Sequence, residues 1–172
     1  AYEKVRKERN IPDSVREPLF AAHAVCNLDK VKAAVADPEK FTVVQCAPAV
    51  RVAIAEEFGA ELGSLTPGKL AAALRALGFD RIYDTNFPAD LTIMEEGTEL
   101  VKRVTEGGVL PMFTSCCPAW VKFLENNYPE LKDHLSTAKS PQQMGGAVFK
   151  SYGASLEKLD GSKIYSVAVM PC

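Results

Sequence analysis

The sequence predicts an α/β domain, a mostly parallel sheet flanked by helices, and three observations carry that expectation. Short runs rich in β-branched and aromatic residues alternate with helical stretches of about 10–15 residues, the pattern of βαβ units. Several of the helical stretches open on proline or close on glycine, as helix ends require. The composition is that of an ordinary globular chain: 172 residues, 47% hydrophobic, 24% charged, with a net charge of −2. A chain of this size buries a real core, and no internal repeat or low-complexity tract interrupts it.

Each element has its own signal. Residues 1–40 are charged and helix-like, broken by Pro12 and Pro18, and read as a lead-in arm or linker ahead of the domain at 41–172. FTVVQCA (41–47) is the first β-rich run and is stopped by Pro48. Arg51 to Phe58 has helical spacing and ends near Gly59. TPGKLAAALRALGF (66–79) opens with Thr66 as N-cap and Pro67 at the first helical position, then closes at Gly78. RIYDT (81–85) reads as the second strand, and Asp90 to Val104 as a long amphipathic helix beginning after Pro88. VLPMFTS (109–115) is expected to form a third strand, and PAWVKFLENNY (118–128) a helix headed by proline. SPQQMGGAVFKSYG (140–153) is expected as one further helix with Gly145 and Gly146 in its path, and KIYSVAVM (163–170) as a fourth strand.

Composition excludes several function classes. Without a basic excess, the chain has no electrostatic footprint for nucleic acid. No apolar run approaches the roughly 20 residues of a membrane span. The opening AYEKVRKERN lacks the apolar core of a signal peptide, so a cytoplasmic protein is the default and the periplasm the alternative. Five cysteines, odd in number and including the adjacent pair Cys116–Cys117, do not make a secreted disulfide framework. His23 and His134 are the only histidines, which excludes a His-rich zinc site and an HExxH motif. Any metal chemistry must therefore rest on thiolates, which points to iron–sulfur before zinc.

Ligands of open α/β sheets bind outside the carboxyl ends of the strands. Cys46 and Pro48 close the first expected strand, Asp84 the second, Cys116 and Cys117 the third and Cys172 the fourth, so polar or sulfur groups gather at one rim. Adjacent side chains on an extended segment point to opposite sides, so Cys116 and Cys117 are poorly placed to share one metal ion. The helix N-terminus at Pro118 favours a thiolate beside it. A pair of buried core cysteines is the plain alternative for these two, Cys26 reads as structural or simply exposed, and Cys46, at a strand end, reads as core just as easily as a ligand.

FTSCCPAW and VMPC resemble the first two signature motifs of the catalytic domain of iron-only (FeFe) hydrogenases. APAVRVAIAEEFG, TPGKLAAALRALGFD, ADLTIMEEGTEL and STAKSPQQM resemble that family too, in order, over roughly residues 40–172. The resemblance implies one lobe of the hydrogenase catalytic domain, reversible oxidation of H2 and reduction of protons, and an H-cluster. That cofactor is a 4Fe-4S cubane linked to a two-iron subsite with CO, CN and a bridging dithiolate. By the same resemblance Cys117 and Cys172 match cubane ligands, and Cys116 matches the thiol that exchanges protons with the two-iron subsite. Glu96, Glu99 and Ser136 match the rest of a proton path. Ala47, Pro48, Ala49, Pro141, Gln142, Met170 and Pro171 match positions that wall in the subsite.

The residues agree with that chemistry in part. Glu96 and Glu99 stand at i and i+3 of an expected helix and share a face, and Arg103 is placed to hold Glu99 near the surface. A solvated helix face is the alternative for the two glutamates. In the family MPC is followed by a lysine and by a third motif with two more cysteine ligands, whereas a cubane takes four thiolates. The chain is therefore expected to be a fragment whose partners are the remainder of the catalytic domain and an electron carrier. Ferredoxin or an iron–sulfur subunit would serve as that carrier. A non-catalytic hydrogenase-like protein, serving iron–sulfur assembly or hydrogen sensing, is the competing expectation, and a thiol protein without a cluster is a third.

Overall fold

The computed structural model describes residues 27–170. Pro12, Pro18, His23, Cys26, Pro171 and Cys172 lie outside the described residues. The chain divides into two compact units, Ala1–Ala33 and Ala34–Cys172. Of the first, the described part is the opening of helix α1 (Leu28–Ala36).

The second unit is built on a parallel sheet of three strands, β1 (Phe41–Cys46), β2 (Arg81–Asp84) and β3 (Ile164–Val169), in the order β2-β1-β3. Cys46 pairs with Asp84 on one side and Val169 on the other, so the three strands end level. Parallel neighbours demand crossovers, and helices supply them. α2 (Pro48–Glu57) and α3 (Pro67–Ala76) lead from β1 to β2. α4 (Asn86–Glu106), α5 (Pro118–Asn127), a 3-10 turn (Pro129–His134) and α6 (Pro141–Val148) lie between β2 and β3.

β1 is buried along nearly its whole length, as a central parallel strand must be. Its pleat separates Thr42, Val44 and Cys46 from Phe41, Val43 and Gln45. Val43 packs with Phe149, Ala154 and Ile164, while Tyr83 stacks on Phe149 with ring centroids 4.0 Å apart.

Four expected elements differ. The helix expected from Arg51 begins at Pro48, the residue that reads as the stop of β1. Residues 109–115 form no strand: Phe113 alone pairs, in a single parallel bridge to Leu135. Pro111 has no N–H to give a ladder, and the place beside β1 is taken by β3. The long helix begins at Asn86 rather than Asp90. Pro88 sits in its first turn, where a missing N–H costs nothing. The expected helix at 140–153 stops at Val148 and passes through a π turn (Phe149–Gly153) into α7 (Ala154–Leu156). Phe149 and Ala154 stand five positions apart, and the wider π turn brings both onto the core side, 3% and 4% exposed.

Candidate active site

A cavity of about 1080 Å³ opens at the carboxyl ends of the strands. Four helices point their N-termini into it. The residues that cap them, Ala47 for α2, Thr85 for α4, Cys117 for α5 and Ser140 for α6, all line the cavity. Only the Ser140 side chain closes its own cap, accepting from Gln143 N at 3.3 Å. The first-turn N–H groups of the other three are left without a cap from the side chain, and helix N-termini carry partial positive charge. Lys139 and Lys122, the latter paired with Glu125 Oε2 at 3.3 Å, add positive charge, and no carboxylate is among the lining residues. The cavity therefore suits an anionic group.

The cysteine pair reaches this place through the lone bridge at Phe113. Phe113 N donates to His134 O and Ser136 N donates to Phe113 O, each at 2.8 Å. These two bonds bind the 113–117 segment to the 134–136 segment, which brings Ser136 to the same wall as the thiols. Trp120 packs edge-on against Phe113 and His134 stacks on its other flank. Ser115 then shapes the turn into α5, with Cys117 N donating to its Oγ at 3.0 Å. Cys116 and Cys117 are both free and exposed, so they are not the pair of buried core cysteines that stood as the alternative. Cys46 is a free thiol buried in the core, and burial, with the charge of Asp84 nearby, pushes its pKa up. Asp84 itself is engaged by Arg51 Nη1 at 2.6 Å.

Behind the cavity wall Glu99 is held by hydrogen bonds from three residues. Its Oε1 accepts from Arg103 Nη2 at 2.6 Å, and its Oε2 accepts from Ser136 Oγ at 2.7 Å and Thr137 N at 3.0 Å. Ser136 Oγ accepts in turn from Ala138 N at 3.1 Å, so its hydroxyl proton is directed at Glu99. Arg103 also donates to the carbonyls of Val109, Asp133 and Leu135. The Arg103–Glu99 pair expected from spacing is thus present, half-buried rather than at the surface, with side chains 12% and 17% exposed. Burial pushes the Glu99 carboxyl up, but the bonds from Ser136, Arg103 and Thr137 outweigh it and hold the pKa below the ordinary value. Glu96, half-buried, is raised, by burial first and by the Glu99 charge second. The two carboxyls are pushed apart.

Glu99 also lines a second, shallower groove of about 580 Å³ with Glu95 and Lys102. Thr137, Ala138 and Lys139 line both spaces, so this short stretch separates them. Among the described residues the direct hydrogen bonds run from Ser136 to Glu99 and Arg103, and do not reach Cys116 or Glu96.

Of the residues singled out in the sequence, the cavity gathers Ala47, Pro48, Cys116, Cys117, Ser136, Pro141, Gln142 and Met170. Ala49 lies on α2 just outside the lining, Glu96 and Glu99 stand on α4 behind it, and Pro171 and Cys172 fall outside the described residues. Thr85, Thr137 and Gln45 were not anticipated. Gln45 carried a signal, the one amide in a strand whose other residues are apolar save Thr42. Thr137 carried none, because its bonds to Glu99 arise only when the 134–138 segment crosses α4.

Among the described residues no three His, Cys, Asp or Glu side chains cluster as a metal site. The two cavity thiols and the positive helix ends are of a chemistry that fits an anionic iron–sulfur group. Residues 40–172 match the family described as the iron only hydrogenase large subunit, C-terminal domain. The chain is 51% identical to iron hydrogenase 1 of Clostridium pasteurianum over 90% of its own length and 27% of that protein's. It is 34% identical to cytosolic iron-sulfur assembly component 3 of Rattus norvegicus, over 84% of the chain and 31% of that protein. Its fold superposes on an apo FeFe-hydrogenase variant from Chlamydomonas reinhardtii with a TM-score of 0.80 at 48% identity, covering 86% of this chain and 38% of that one. The chain thus spans about a third of the length of the relatives it matches.

Proposed function

Because the chain belongs to the family of the iron only hydrogenase large subunit, C-terminal domain, we propose that it is the part of an FeFe hydrogenase that walls one side of the H-cluster and carries its proton path. The observation that carries this reading is the cavity where two free thiols meet three uncapped helix ends and two lysines. Cys117, at the N-cap of α5, would hold the cubane, and Cys172 is the second ligand that the motifs supply. When bound, the cluster supplies the redox chemistry that interconverts protons, electrons and H2. Ala47, Pro48, Pro141, Gln142 and Met170 keep bulk water away from it, and so protons must travel by side chains.

Cys116 holds the proton nearest the cluster. Glu96, whose pKa is raised, stores a proton more readily than an exposed glutamate and passes it outward. Ser136 is oriented for one direction of transfer. Its Oγ accepts from Ala138 N, its hydroxyl proton points at Glu99, and its second lone pair is left for a proton arriving from inside. Glu99 receives the proton and releases it at the outer groove, where Ser136, Arg103 and Thr137 keep its carboxylate charged. Hops from Cys116 to Glu96 and from Glu96 to Ser136 each need a bridging water.

The test is hydrogen evolution by the whole protein, purified anaerobically with its iron. Evolution from a reduced dye, strongly impaired by Glu96→Gln, is the expected result. An iron-containing protein that evolves and consumes no H2 sinks the catalytic reading and favours a role like that of the assembly component.

A further inference from the structure

Resting on that reading, we propose that Gln45 is a positioning residue whose carboxamide sets the cavity wall at Gln142 and Thr85. Gln45 lies in the central strand and is 0% exposed. An amide buried this deeply is costly unless its polar atoms are paired. Its Nε2 donates to Gln142 O at 2.9 Å, and its Oε1 accepts from Thr85 Oγ1 at 3.3 Å. Both partners line the cavity, Thr85 at the N-terminus of α4 and Gln142 in the first turn of α6. One side chain therefore ties two of the four helix ends that face the cavity to the middle of the sheet.

The anchor itself cannot slide. Gln45 is in register with Tyr83 of β2 and Ala168 of β3, locked on both sides. α6 is drawn close over it: a Cβ on Gly145 would stand 3.0 Å from Gln45 Oε1 and 3.1 Å from Pro88 Cγ. A leucine or methionine would fill this space if packing were its only purpose. The amide adds what they lack, a fixed direction for the Gln142 backbone and hence for the side chain that Gln142 presents to the cavity.

The test uses the holoprotein and the infrared stretching bands of the CO and CN ligands, which report contacts of the two-iron subsite rather than overall stability. Gln142→Ala is expected to shift these bands. Gln45→Met is expected to shift the same bands and to add nothing further in the Gln142→Ala background. Bands left at wild-type frequencies by Gln45→Met, or shifts from the two substitutions that simply add, overturn the proposal. Should Gln45→Met fail to accumulate folded, Thr85→Val removes one of the two bonds at similar shape. It is expected to give a smaller shift in the same direction, and an unshifted spectrum again overturns the proposal. Absence of CO and CN bands from the wild-type holoprotein would instead overturn the hydrogenase reading, and the role of Gln45 with it.

Discussion

Glu96 and Glu99 sit three residues apart on α4, yet their surroundings push them in opposite directions. The carboxyl of Glu99 is lowered in the folded state, so it contributes stability above the ordinary glutamate pKa of about 4.3, and that contribution is lost as pH falls through the lower folded value. Glu99→Gln is therefore expected to cost about 1–3 kcal/mol at neutral pH and less in acid, read from thermal melts at two pH values. The carboxyl of Glu96 is raised, so its ionisation opposes folding as pH rises above the ordinary value, and Glu96→Gln is expected to leave neutral-pH stability unchanged or slightly higher. Glu96→Gln is thus expected to harm turnover without harming the fold, and a matched loss of both would count against the relay. The two thiols divide in a similar way. Cys116→Ala is expected to keep the iron content and cut turnover about a hundredfold or more, whereas Cys117→Ala is expected to lower iron retention. Iron analysis alongside the assay separates them, and the reverse pattern would overturn the assignment of roles.

Helix ends were the most legible elements because their chemistry is local. Pro67, Pro118 and Pro141 each open a helix as expected, and Gly78 takes positive φ where α3 ends, whereas Pro48 opens α2 although it reads as the stop of β1. Segment 109–115 misled because its residues suit a strand, whereas pairing depends on what lies alongside. The π turn after α6 was illegible for the same reason: only the core around Val43 requires Phe149 and Ala154 on one side. Gly145 tests how tightly α6 sits on β1. Gly145→Ala is expected to destabilise by about 1–3 kcal/mol, since neither Gln45 nor Pro88 can yield easily. A denaturation midpoint unchanged from wild type would mean the contact has slack.

At the scale of the molecule, several large apolar side chains stand exposed among the described residues. On the outer face of α4, Ile93, Met94 and Val101 are 67%, 69% and 61% exposed. Contiguous apolar stripes of this kind drive association. The 172-residue chain expressed alone is therefore expected to self-associate at micromolar concentration, and a monodisperse monomer by light scattering would contradict this. The α/β class, the helices that open at Pro67, Pro118 and Pro141, the parallel strands at 41–46, 81–84 and 164–169 and the family itself could be read from residue order alone. These depend on local propensity, hydrophobic period and short motifs, which lie within a few residues of one another. The bridge at Phe113 that brings the cysteine pair and Ser136 to one wall, the bonds from Thr137 to Glu99, and the hold of Gln45 on α6 could not. Those contacts join residues separated by up to 97 positions, as Gln45 and Gln142 are. Long-range contacts are made only when crossovers stack the helices on the sheet, and no local preference encodes which polar atoms then come into reach.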